Sequence, residues 1–203
     1  MSKKFSAVIF DLGGVLLKTI NSQPREALAA RFGVTRSELE AFIFMSETSI
    51  QSELGELTDK LHWETVLRHF NQPVGDYLKT YKVFFSGDAI DQDLLAFTAS
   101  LKPNYRLGLL SNAWVSARKL LNQLFNFLDI FDKSIFSCEV GKRKPDPAIF
   151  KIVLEKMGVC AENVIFIDDM QINVEGAKST GLHAIQYKDT PSVISAVKST
   201  LNI

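Results

Sequence analysis

The chain has 203 residues, 46% of them hydrophobic and 23% charged, which is enough for one sizeable core with a small second lobe. Its 23 basic and 23 acidic residues leave a formal net charge of +0, which excludes a partner recognised by bulk charge, nucleic acid or anionic membrane, and favours a small molecule. No segment reaches about 18 apolar residues, the run "MSKKFSAVIFD" meets Asp11 too early for a signal peptide, and Cys138 and Cys160 lack a paired C-x-x-C spacing, so the chain is read as cytoplasmic, with no zinc site or disulfide framework.

In chain order, "SAVIF" predicts a buried parallel strand that runs into Asp11 and then into two glycines, Gly13 and Gly14, which would let backbone approach a ligand closely. Residues 18 to about 87 carry helical spacing without a convincing strand. "TRSE", Thr35 to Glu38, is a capping box, and Trp63, Val66, Leu67 and Phe70 fall at i, i+3, i+4, i+7, so about four helices are expected. Phe42, Phe44, Trp63, Phe70, Phe84 and Phe85 make this lobe aromatic, most of them as core and one or two as pocket lining. Beyond it, "YRLGLL", "NVIFI" and "HAIQY" read as further buried strands. In "KPDPAIFKIVLEKMG", Asp146 suits the N-cap, Pro147 the first helical position and Gly158 the stop, with Ile149, Phe150, Val153, Leu154 and Met157 as the buried stripe. Thr190 and Pro191 repeat that start for the last helix. The expected fold is α/β, a doubly wound, Rossmann-like parallel sheet formed by residues 1–17 and 88–203, with an inserted α-helical cap over residues 18–87. The two connections, near Leu17 and Gly87, would act as a hinge, and the cap as a lid.

Polar groups stand at the ends of the strands, where ligands of such sheets bind: Asp11 after "AVIF", Ser111 and Asn112 after "LGLL", Asp168 and Asp169 after "VIFI". Lys144 precedes the "PDP" helix start. Each alone is more often a cap or a turn former. Together the three carboxylates would repel, and a Mg²⁺ ion with its preference for hard oxygen ligands would relieve that repulsion. The segments "VIFDLGGVL", "LGLLSN", "GKRKPDPAIF" and "VIFIDD", in this order, resemble the four motifs of the haloacid dehalogenase superfamily of hydrolases. The helical insertion is similar to the small cap of its subfamily I, and "INVEGAKSTGL" to the segment after its acidic pair. The resemblance implies that Asp11 is a nucleophile forming an aspartyl-phosphate, that Ser111 and backbone near Asn112 bind phosphoryl oxygens, and that Lys144 neutralises charge. It further implies Mg²⁺ held by Asp11, the Gly13 carbonyl, Asp169 and, through water or by positioning Lys144, Asp168. Asn173 could help order the acidic loop, but an Asn on a helix's first turns is more often an ordinary solvated residue, and it stays outside this set.

The pattern departs from most phosphatases of that superfamily at Gly13, where they carry a second Asp as acid and base. General acid–base catalysis typically contributes ~10²–10⁴-fold, or roughly 3–5.5 kcal/mol, so substrates with a good leaving group are favoured. Glu53 and Glu56, in "SELGELT", could supply the proton, yet read as surface carboxylates. The expectation is a Mg²⁺-dependent phosphatase of a small phosphorylated metabolite such as a sugar phosphate, a monomer or homodimer with no nucleic-acid or membrane partner. Two alternatives are a 2-haloacid dehalogenase-type hydrolase, which would use a cap arginine such as Arg25 or Arg31, and a catalytically silent protein that binds a phospho-ligand or a partner. His62, His69 and His183 lack metal-ligand spacing and read as core or solvated residues. No P-loop, G-x-G-x-x-G or G-x-S-x-G motif is present.

Overall fold

The apolar run before Asp11 forms β1 (Ala7–Phe10), and all four residues are buried, as a central parallel strand covered on both faces requires. This computed structural model describes residues 4–203, so the first three residues of the basic start lie outside the described residues. After β1 the chain makes β2 (Leu17–Thr19), then α1 (Gln23–Phe32), α2 (Arg36–Met45), α3 (Glu47–Glu53), α4 (Asp59–His69) and α5 (Tyr77–Phe85). It continues with β3 (Asp88–Ile90), α6 (Gln92–Leu101), β4 (Arg106–Ser111), α7 (Ala117–Leu124), β5 (Lys133–Phe136) and α8 (Ser137–Val140). The last elements are α9 (Pro147–Met157), β6 (Val164–Asp168), α10 (Gln171–Ser179), β7 (His183–Gln186) and α11 (Thr190–Leu201).

Five strands form one parallel sheet in the order β5-β4-β1-β6-β7. The chain therefore winds outward from β1 in one direction through β4 and β5 and then in the other through β6 and β7. That reversal flanks β1 with β4 and β6, and Phe10 pairs with both Leu109 and Ile167, so the strand ends that carry Asp11, Ser111 and Asp168 lie side by side. Alternate residues feed two apolar layers. Val8 and Phe10 join the side covered by α6 and α11, and Ala7 and Ile9 the side covered by α9 and α10. In α9, Ile149, Phe150, Val153 and Met157 are buried as the stripe predicts, while Leu154 is only partly covered. Each fully buried side chain of this kind contributes about 1.5–3 kcal/mol. Asp146 caps the helix by accepting from Ala148 N at 2.8 Å, and Gly158 ends it at φ 61°.

Three sequence expectations are corrected. The cap of α11 is Asp189, which accepts from Ser192 N at 2.8 Å, and Thr190 is the first helical residue. β7 is an edge strand with His183 and Gln186 exposed, not a fully buried one. β5 and the pair β2–β3 were not anticipated, being three- or four-residue runs with polar members.

The helical lobe holds five α-helices around Leu28, Leu39, Ile43, Trp63, Val66, Leu67, Phe70 and Phe84, so the predicted α4 stripe is core. β2 pairs antiparallel with β3, forming a two-stranded stem where the hinge was expected. Gly87 is needed at its cap end, because a Cβ there would stand 1.9 Å from the Asn21 carbonyl oxygen. Lys18 fastens the stem to the core through Asp91 at 2.5 Å, Thr190 at 2.9 Å and the Tyr187 hydroxyl. No helix among the described residues is long and apolar enough to cross a membrane.

Candidate active site

Lys144 sits at the centre of the strand-end cluster, 1% exposed, with Nζ 2.6 Å from Asp11 Oδ1 and 2.6 Å from Asp168 Oδ2. Asp11, Asp168 and Asp169 bring carboxylate oxygens within 4.8 Å of one another. Ser111 is buried at the end of β4 beside β1, and its hydroxyl makes only a 3.2 Å bond to the Asn112 carbonyl. Thus Asp11, Ser111, Lys144, Asp168 and Asp169, predicted from four separate segments, share one site.

Two asparagines build the support. Asn112 donates to the Lys144 carbonyl at 2.9 Å and accepts from the Lys144 N–H at 2.8 Å, so its side chain fixes the backbone that carries the lysine. Asn173 is buried and donates to both oxygens of Asp168, at 3.0 and 3.2 Å. Sequence reasoning set Asn173 aside. The signal that could have found it is its position five residues beyond Asp168, within the first turn of α10. Met170 N also donates to Asp168 at 2.9 Å, which leaves that carboxylate fully engaged by protein.

The two glycines after Asp11 differ. Gly14 has φ +76°, and a Cβ on it would fall 2.3 Å from Asp169 Oδ2, so both its backbone and its neighbour demand glycine. Gly13 has open space around the same position and needs no glycine on steric grounds. The loop folds by Leu17 N donating to Leu12 O and Gly14 N to Leu17 O, and among the described residues no donor reaches the Gly13 carbonyl.

Burial pushes the Asp11 carboxyl up to about 8, with Lys144 opposing and Asp168 and Asp169 adding to the rise. Burial also raises Asp169, helped by the charge of Asp168. Burial disfavours the Lys144 ammonium, but Asp11 and Asp168 more than offset this and hold it above the ordinary lysine range. Burial and the two neighbouring carboxylates thus act against the charged form of Asp11, and the Lys144 ammonium at 2.6 Å acts for it. Three carboxylates and a carbonyl without a donor form an all-oxygen set that fits a hard divalent cation.

The cap contributes Glu53, which is buried rather than on the surface and accepts from Arg143 Nε at 2.6 Å. Glu56 is exposed. Arg25 is buried and fully committed: Nε to the Phe84 carbonyl, Nη1 to Glu40, Nη2 to both oxygens of Asp88. Arg31 is exposed. His62 is a core residue with Nδ1 2.9 Å from Thr48 Oγ1, and His69 stacks on Phe42.

A family model described as haloacid dehalogenase-like hydrolase matches residues 5–181. A phosphorylated carbohydrates phosphatase of Thermotoga maritima is 28% identical, covering 88% of this chain and 83% of its own length. A drimenol cyclase of Aspergillus calidoustus is 28% identical over 89% of this chain, of which it forms a much longer relative: the chain spans 34% of it, and 20% and 19% of two further long relatives. Among solved structures, an aspartate-to-alanine mutant of an enzyme of this family from Bacteroides thetaiotaomicron, in complex with magnesium and inorganic phosphate, superposes with a TM-score of 0.71 at 25% identity, covering 91% of this chain and 94% of that one.

Proposed function

The chain belongs to the haloacid dehalogenase-like hydrolases, and on that premise we propose that it is a Mg²⁺-dependent phosphatase that hydrolyses a small phosphomonoester through an aspartyl-phosphate on Asp11. The observation that carries this reading is the convergence of three carboxylates within 4.8 Å of one another about one buried lysine. Asp11, Asp169 and the Gly13 carbonyl would hold the metal directly. Asp168, already engaged by Lys144, Asn173 and Met170 N, would reach it through water and otherwise keep Lys144 in place. When bound, Mg²⁺ supplies charge that offsets the carboxylate repulsion and the negative phosphoryl oxygens.

In the first step an Asp11 carboxylate oxygen bonds to phosphorus as the ester P–O bond breaks. The departing oxygen takes its proton from solvent, because Gly13 presents no side chain and Glu53 is held by Arg143. Lys144, a point charge on a buried stem, and the Ser111 hydroxyl stabilise the phosphoryl oxygens as charge builds. Water then attacks the phosphorus of the acyl phosphate, releasing inorganic phosphate and restoring the Asp11 carboxylate. The test is phosphate release from p-nitrophenyl phosphate, with Mg²⁺ and with EDTA, by wild type and Asp11→Asn. Turnover that needs both Mg²⁺ and Asp11 is expected, and normal turnover by Asp11→Asn would sink the reading.

A further inference from the structure

A cavity of about 180 Å³ lies between the cap and the core, and its lining includes Gly13, Ser111 and Asn112. It therefore reaches residues of the proposed phosphate site. Most of its wall is apolar, from Phe44 and Phe85 of the cap, Trp114 after β4, and Leu120, Leu124 and Phe125 from α7 and its end. On α7, Ala117, Leu120, Leu121 and Leu124 fall at i, i+3, i+4, i+7, a stripe that a surface helix normally buries. Here only Leu121 is buried, and Leu124 is 69% exposed at the cavity.

The three carboxylates that line this space each already accept from a protein donor. Glu53 accepts from Arg143 at 2.6 Å. Asp59 accepts from the Ser116 N–H at 3.2 Å and from the Ser116 hydroxyl. Asp88 accepts from Arg25 at 2.7 Å and from Thr19 at 2.8 Å. A polyhydroxylated substrate would set part of its hydroxyl surface against rings and leucines, a costly arrangement wherever those hydroxyls go unbonded. A volume of about 150 Å³ accommodates a benzene-sized group, and this one is slightly larger.

We infer that the substrate is a phosphomonoester of an apolar alcohol, its phosphate beside Asp11 and its hydrocarbon portion between α7 and the aromatic side chains of the cap. The inference rests on the phosphatase reading above and names the substrate class of that same site.

The experiment is a series of ethyl, butyl, hexyl and octyl phosphates, with glucose 1-phosphate and glucose 6-phosphate alongside, all with Mg²⁺, for wild type and Leu124→Asp. Each buried methylene is worth about 0.8 kcal/mol, so kcat/KM should rise about fourfold per methylene from ethyl to hexyl and then level off as the cavity fills. The slope should flatten in Leu124→Asp. A flat wild-type series, or glucose phosphates turned over better than hexyl phosphate, would overturn the substrate class while Asp11-dependent hydrolysis of p-nitrophenyl phosphate left the phosphatase reading standing. No phosphate release from any ester would overturn both.

Discussion

Gly14→Ala tests the site through one atom. In the left-handed region at φ +76° an alanine costs about 1–2 kcal/mol, and a chain of this length loses about 2–4 °C of Tm per kcal/mol. A fall of roughly 2–8 °C is therefore expected from the backbone alone. The larger consequence is local. The new Cβ would stand 2.3 Å from Asp169 Oδ2, whereas ordinary contact begins at 3.4 Å, so the carboxylate must retreat by about 1.1 Å. Metal sites tolerate about 0.2 Å, so the displaced oxygen no longer serves as a ligand. Since losing even an outer partner of a metal site costs about 10–100-fold in affinity, the Mg²⁺ concentration for half-maximal turnover should rise by at least that factor. The assay is a Mg²⁺ titration of p-nitrophenyl phosphate hydrolysis alongside a thermal melt. A variant whose melt falls as expected but whose Mg²⁺ requirement stays within twofold of wild type would refute the placing of Asp169 on the metal.

Gly13→Asp has room for its side chain, since nothing lies within 4 Å of the new Cβ, and it places an acid beside the departing oxygen. Turnover of alkyl phosphates should rise by about 10²-fold, the lower end for general acid catalysis, while p-nitrophenyl phosphate, with its better leaving group, changes far less; an unchanged ratio between the two would show that another proton donor already acts. His62 gives a pH prediction for stability. Burial lowers its pKa from 6.5 to about 4, so above pH 6.5 both folded and unfolded chains hold it neutral, and below that the unfolded chain alone takes up the proton. Stability is lost as pH falls through this window, by up to about 3 kcal/mol. Urea denaturation at pH 7.5 and pH 5 should show wild type losing about 2 kcal/mol more than His62→Gln; equal losses would remove His62 from the account.

The sheet was legible because a parallel strand buried on both faces is an uninterrupted apolar run, and Asp11 and Asp168 interrupt such runs where the strands leave the core. The short strands were not, because Lys133 and Ser134 in β5 and Lys18 and Thr19 in β2 break the pattern, and backbone pairing with neighbours defines them. At the site, residues whose chemistry is their own were found, and residues whose role depends on facing something were not. Asn173 matters through the turn of α10 that aims it at Asp168. Glu53 and Glu56 are three residues apart in one segment, yet docking of α3 against the core buries the first on Arg143 and leaves the second in solvent. Gly13 and Gly14 read alike as letters, and only the position of Asp169 separates them. For Phe44 and Phe85, sequence supplied six aromatic candidates, and the packing of Trp63, Phe70 and Phe84 into the cap core left these two on the cavity.

The same distinction separates phosphoryl transfer from carbon–halogen hydrolysis. A 2-haloacid must have its carboxylate and departing halide held by cationic side chains free to receive them. Near this site Arg25 spends its guanidinium on Asp88, Glu40 and the Phe84 carbonyl, Arg143 is on Glu53, and Lys144 is on Asp11 and Asp168. The cationic group at the centre of the cluster faces Asp11, where, on the proposed function, a phosphoryl group would carry its charge. Two further carboxylates stand within 4.8 Å of Asp11, a costly excess of negative charge that a displacement at carbon would not require. The arrangement is coherent when a cation joins the acidic cluster, Asp11 is ionised and the phosphoryl group lies between metal and lysine. That is why Asp11→Asn, Gly14→Ala and Gly13→Asp, three changes within four residues, probe the nucleophile, the metal and the proton separately.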